Sequence, residues 1–178
     1  MGQRSPDPVQ DPKAYQQHLL SLLGDDDPAE VQAATPAALR RLVDDAGDDL
    51  WIRPEPAEWA VLGCIAHVAD AELVMAGRYR WVLAHDEPPL DPYDQDLWVE
   101  RLHDDNDDPE PMLALFDAVR TANLELWRRT PAEWRSRTGI HAERGPESYE
   151  LAFRMIAGHD RFHIAQAERA MMRVREGR

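Results

Sequence analysis

Two histidines four residues apart, in Gly158-His159-Asp160-Arg161-Phe162-His163, are the residues whose type and spacing first suggest chemistry. They lie in a helical pattern running from about residue 148 to about residue 175. At roughly 100° per residue, the two imidazoles fall one turn apart on the same face. Ala152, Met155, Ile156, Gln166 and Ala170 share that face, which therefore reads as buried. Glu150, Arg154, Arg161 and Glu168 fall on the opposite side, which reads as wet. Imidazoles on a core-facing stripe need partners. A metal ion would satisfy them, and so would mutual or water-mediated hydrogen bonds, since helices bear such pairs by chance. A third ligand from elsewhere is what the metal reading requires.

His67 is the candidate for that ligand. It follows Trp59-Ala60-Val61-Leu62-Gly63-Cys64-Ile65-Ala66, a stretch apolar nearly all round and so buried on several sides. Helical bundles project ligands inward from facing helices, so His67, His159 and His163 could meet if their helices are neighbours. Shared bonds of ~2.1 Å would set their ring nitrogens roughly 3–3.5 Å apart. Three neutral imidazoles with an open fourth position suit a catalytic zinc, and equally nickel or iron. A di-iron carboxylate site is set aside because four inward carboxylates are not found; Asp160 with His163 is the nearest fragment, and Glu72 stands alone. Cys64 reads as a small buried apolar residue. No serine or cysteine nucleophile stands in a recognisable setting. His18, His85, His103 and His141 fall in loops or tails, with His141 read as solvent-exposed. Asn123 lies inside an apolar stripe and is either an interhelical tie or a cavity-lining group.

The elements that must position these residues are helical. Residues 1–10 read as a frayed tail, and residues 11–23 as a short helix ended by Asp25-Asp26-Asp27-Pro28. Thr35 with Pro36 reads as an N-cap and first helical residue, opening a helix that ends near Asp49. Trp51 to Pro56 is an extended linker. A second long helix spans about 57–84. Residues 85–108 form an acidic connection with a short helix expected over 95–102. A third long helix spans 109–129, its stripe read as Met112, Leu115, Phe116, Val119, Ala122 and Leu126. Thr130-Pro131-Ala132-Glu133 matches a capping box, a turn-rich connection without strands follows, and Ser148 caps the last helix. The fold expected is all-α: a four-helix bundle over residues 35–175 with long connections, preceded by an N-terminal helical segment in residues 1–34.

Length and composition agree with this. One domain of 178 residues buries a sizeable core without staples. A single cysteine excludes an internal disulfide framework and suits a reducing cytoplasm. No apolar run approaches the ~20 residues of a membrane span, and no secretory leader is visible. A net charge of −14 should repel nucleic acid. Trp81, Trp98, Trp127 and Trp134 make exposed aromatic surface plausible and favour a homodimer.

Taken in order, Glu58 to Glu72 with His67, the acidic Pro88-Pro89 loop with Asp94-Gln95-Asp96-Leu97-Trp98, and His159-x-x-x-His163 followed by Gln166 resemble the DinB/YfiT-like family of four-helix-bundle metalloproteins. The resemblance covers about residues 35–171. It implies that His67, His159 and His163 hold one divalent ion, and that the segment from Tyr93 to Trp98 lies near the open end of the site. It also implies kinship with enzymes that join a low-molecular-weight thiol of the bacillithiol or mycothiol type to electrophiles. Metal-dependent hydrolysis is the alternative, with Asp70, Asp94 or Asp96 as candidate bases, and a non-catalytic metal- or partner-binding bundle is the third. Asp70, Asp160, Gln166 and Asn123 are candidates to steady the ligand imidazoles.

Overall fold

A computed structural model describes residue 6, residues 10–104 and residues 106–177. The expectation for most of residues 1–10, and for Asp105 in the acidic run, falls outside the described residues. Six α-helices follow in chain order: α1 (Pro12–Leu23), α2 (Pro28–Ala46), α3 (Val61–Ala84), α4 (Gln95–Leu102), α5 (Pro109–Arg129) and α6 (Tyr149–Glu176). Helices α2, α3, α5 and α6 pack as a four-helix bundle. α1 lies along α6 through Tyr15, Leu19 and Met155.

Helix starts follow cap chemistry, and one of them corrects the sequence reading. α2 begins at Pro28, not at Thr35, because Asp27 accepts from the N–H groups of Ala29 and Glu30 with Pro28 at the first position. Thr35 and Pro36 are interior. Pro36 cannot donate to the carbonyl of Gln32 four residues back. That freed carbonyl instead accepts from Arg120 Nη1 at 3.0 Å. α3 starts at Val61, four residues later than expected. Asp108 and Ser148 cap α5 and α6 through Glu110 N and Leu151 N.

The inward face of α5 is Leu113, Phe116, Arg120, Asn123, Leu124 and Trp127. It is rotated from the expected stripe: Leu115 and Ala122 are exposed. The rotation follows the buried Arg120, whose charge does not count as a core residue in an apolar pattern. Arg154 and Arg161 on α6 are not free in solvent either. Arg161 donates to the carbonyl of Leu22 at 2.8 Å and to Asp26 at 2.6 Å, and Arg154 donates to that of Gly24 at 3.2 Å. They cap the end of α1 and hold it on α6.

The connection before α6 holds strands that periodicity did not suggest. β2 (Thr138–His141) and β3 (Gly145–Ser148) form an antiparallel hairpin, and β1 (Pro89–Leu90) adds in parallel to β2. Strands of two and four residues are too short to show a period of two. The hairpin buries His141, which the sequence placed in solvent. The capping box does not form either: the Thr130 hydroxyl donates back to the Leu126 carbonyl at 2.6 Å, and a single 3₁₀ turn (Ala132–Trp134) follows. Trp127 stacks on Phe153 in the core, whereas Trp81 and Trp134 are half exposed. No helix among the described residues is long and apolar enough to cross a membrane.

Candidate metal centre

α3 and α6 are packed neighbours, and they bring the three histidines together. His67, His159 and His163 are 1%, 7% and 2% exposed. His67 Nε2 and His159 Nε2 are 2.9 Å apart, and one nitrogen from each of the three rings lies within 4.8 Å of the others. The first spacing is slightly shorter than the sequence reading anticipated for ligands of one ion. Trp59 flattens one side of the cluster, with its ring 6.0 Å from His163 and 5.1 Å from His67. Tyr93 stands 6.5 Å from His67.

The donor set is chemically suited to a divalent ion. Burial holds His67 and His159 well below the ordinary imidazole value, and the neighbouring His163 adds to this. Burial likewise pushes His163 down to about 3. All three are therefore neutral near pH 7. His163 Nδ1 lies 2.9 Å from the Gln166 side-chain oxygen, which can only accept, so Nδ1 bears the proton and Nε2 the lone pair. Nδ1 of His67, Nδ1 of His159 and Nε2 of His163 are buried with no partner among the described residues. The Nε2 atoms of His67 and His159 face each other, where two neutral rings can share one hydrogen or a cation can take its place.

The other candidates divide. Gln166 takes the steadying role. Asp160 does not face the cluster: its carboxylate accepts from Arg120 at 2.6 Å and from the Thr35 hydroxyl at 2.7 Å. Asn123 is the interhelical tie, donating to Glu72 at 2.7 Å and accepting from Arg80 at 2.9 Å. Asp70 is engaged by His103 at 2.8 Å. Asp94 caps α4 through Leu97 N at 2.9 Å and, with Asp96, lies exposed at the mouth of a cavity that reaches His159. Cys64 is buried, and burial pushes its thiol up to about 12, so it is inert.

Two cavities reach the cluster at different histidines. One, of about 250 Å³, runs past Tyr93, Met75 and Met155 to His159. The other, of about 220 Å³, lies between Trp59 and Phe162 and ends on His163 and Gln166. The sequence reading missed Arg120, buried between Glu72 and Asp160. It also missed Arg78, His141 and the stacking role of Trp59. The available signal for Arg120 was Glu72, an acid in an apolar helix with no cation near it in sequence.

The chain is similar to several known proteins. A protein of Oceanobacillus iheyensis whose name proposes a metal-dependent hydrolase is 30% identical over 107 residues, covering 60% of this chain and 62% of its own. The chain thus spans about three fifths of the first such relatives. YfiT of Bacillus subtilis, named in the same terms, is 28% identical over 145 residues, covering 76% and 78% of the two chains. A solved YfiT structure, described as having an unusual four-helix bundle topology, superposes with a TM-score of 0.74 at 22% identity, covering 98% of this chain and 93% of that one. The fold is shared. A family model of the DinB superfamily matches residues 32–167, a span that includes all three histidines, and the chain belongs to that superfamily.

Proposed function

We propose that His67, His159 and His163 hold one divalent ion and that the protein is a metal-dependent hydrolase. The observation that supports this most is the convergence of three neutral, buried imidazoles, with His67 Nε2 2.9 Å from His159 Nε2, and His163 Nε2 without a protein partner. Zinc, nickel and iron all suit the donor set. When bound, such an ion supplies Lewis acidity and lowers the pKa of a water or thiol. The chain's own residues do the rest. Gln166 fixes the His163 tautomer. Trp59 and Tyr93 shield the cluster from bulk water. Asp96, which lines both cavities, is the candidate base for the attacking water, with Asp94 as the alternative. The names of the relatives favour hydrolysis.

The second reading is transfer of a low-molecular-weight thiol to an electrophile. It is favoured by a cavity on His159 and another on His163, since transfer needs room for two co-substrates. Purified protein is expected to retain about one divalent ion per chain and His159→Ala to lose it, read by elemental analysis. Activated esters and amides are then offered beside monobromobimane with a panel of thiols. Hydrolysis predicts turnover without thiol, abolished by chelation. Thiol-dependent consumption of the electrophile would replace hydrolysis with transfer, and unchanged metal content in His159→Ala would end both.

A further inference from the structure

The larger cavity is a charge-sorted space. Its carboxylates at Asp94, Asp96 and Glu143 are exposed at the rim, where water screens them. Inside, Glu147 is bound by Arg144 through both oxygens, so that pair is neutral. The charge left over is Arg78, on α3 and only 6% exposed. Among the described residues no carboxylate lies within salt-bridge distance of it. Its hydrogen bonds go to neutral acceptors, the Asp91 carbonyl and the Met75 sulfur at 3.8 Å. A guanidinium has five N–H donors in a planar fork, so donors remain.

The Asp91 and Glu147 carboxylates act on Arg78 only through space, Asp91 from an exposed position and Glu147 while held by Arg144, and the other polar groups beside it are donors. His141 Nδ1 accepts from the backbone N–H of Glu143 at 3.2 Å. Burial, then Arg144, pushes His141 down to about 4, so the ring is neutral and Nε2 bears its hydrogen. Burial also keeps the Tyr15 and Tyr93 phenols protonated. Leu19, Met75, Met155 and Ile156 supply an apolar wall between this donor cluster and His159. A buried cation without a counter-ion is costly unless a ligand supplies one.

We propose that this cavity binds a small substrate bearing a carboxylate, with the carboxylate on Arg78 and His141 and the apolar body lying along Met75, Met155 and Ile156 towards His159. This rests on the reading of the triad as the reacting centre, and it names the substrate class. One net buried positive charge suits a monoanion. A phosphate dianion would face Glu147 with its second charge uncompensated. The fork of Arg78 matches a carboxylate in plane.

The test is calorimetric titration of the full chain with hexanoate, hexanamide and hexyl phosphate, in metal-loaded and chelated protein at one ionic strength. Hexanoate is expected to bind about tenfold or more tightly than hexanamide, the difference expected for a charged hydrogen bond. It should bind the chelated protein nearly as well. Arg78→Gln is expected to weaken hexanoate by a similar factor, with metal content unchanged, and Arg78→Lys to fall between. If Arg78→Gln does not fold, the hexanoate and hexanamide comparison in the unaltered chain decides. Equal affinity of acid and amide, tighter hexyl phosphate, or no hexanoate binding at millimolar concentration would overturn the proposal. So would binding that is lost on chelation but kept in Arg78→Gln, because the ion would then hold the carboxylate. A chain that retains no metal yet binds hexanoate through Arg78 would refute the metal reading and leave the anchor standing.

Discussion

An imidazole that loses its basicity on folding makes stability depend on pH, and His141 isolates this effect outside the triad. Its folded value of about 4 lies below the ordinary 6.5, because burial disfavours the cation and Arg144 repels it. As pH falls, the unfolded chain takes the proton first. Stability is therefore intact above about 6.5 and is lost as pH falls towards 4, at up to about 1.4 kcal/mol per pH unit. Urea unfolding of chelated protein between pH 7 and pH 4 should show His141→Asn losing less stability than the parent chain. Equal slopes would mean that His141 is protonated in the fold. Nothing local in the sequence marks His141, since its burial comes from the hairpin pairing with Pro89–Leu90, some fifty residues earlier. His159 and His163 were legible because helical periodicity alone puts them on the buried face, and His67 because its helix is apolar all round.

Between elements, one buried polar cluster ties all four bundle helices. Arg120 on α5, 1% exposed, reaches Glu72 on α3 at 2.8 Å, Asp160 on α6 at 2.6 Å and the Gln32 carbonyl on α2 at 3.0 Å. Thr35 and Asn123 complete the remaining bonds to Asp160 and Glu72. Arg120→Met would leave two buried carboxylates without their cation. It is expected to cost about 3–5 kcal/mol, measured by urea unfolding. Arg120→Met with Glu72→Gln and Asp160→Asn should recover part of that, and failure to recover would show that charge is not the reason. The order of the helices and most helix ends were readable because caps are local. α5 runs over the residues expected of it, Pro109–Arg129. The phase of α5 was not readable, because Arg120 scores as surface until Glu72 and Asp160 are known to face it. The start of α2 misled for a related reason. Thr35-Pro36 and Asp27-Pro28 are both cap-like pairs, and only tertiary contact reveals that Pro36 frees a carbonyl for Arg120.

At the scale of the whole molecule, the cavities are closed by opposite ends of the described chain. Tyr15 and Leu19 from α1 form part of the wall that ends on His159 of α6. The two helices approach so closely at Gly158 that a Cβ there would stand 1.9 Å from the Leu19 carbonyl oxygen. Gly158→Ala should therefore lift α1, at about 1–3 kcal/mol. Hydrogen exchange is expected to rise across Pro12–Leu23 and to stay unchanged in α3, whereas unchanged exchange in α1 would mean that α6 shifts instead. The sequence showed Gly158 only as a neighbour of His159, since a contact across 139 residues has no local signature. That contact also has a consequence in time. A ribosome releases Leu19 long before it makes Gly158, so the seat for α1 does not exist while most of the chain emerges. Leu19, Leu23 and Tyr15 must wait exposed, because α1 is made well before the helix that receives it.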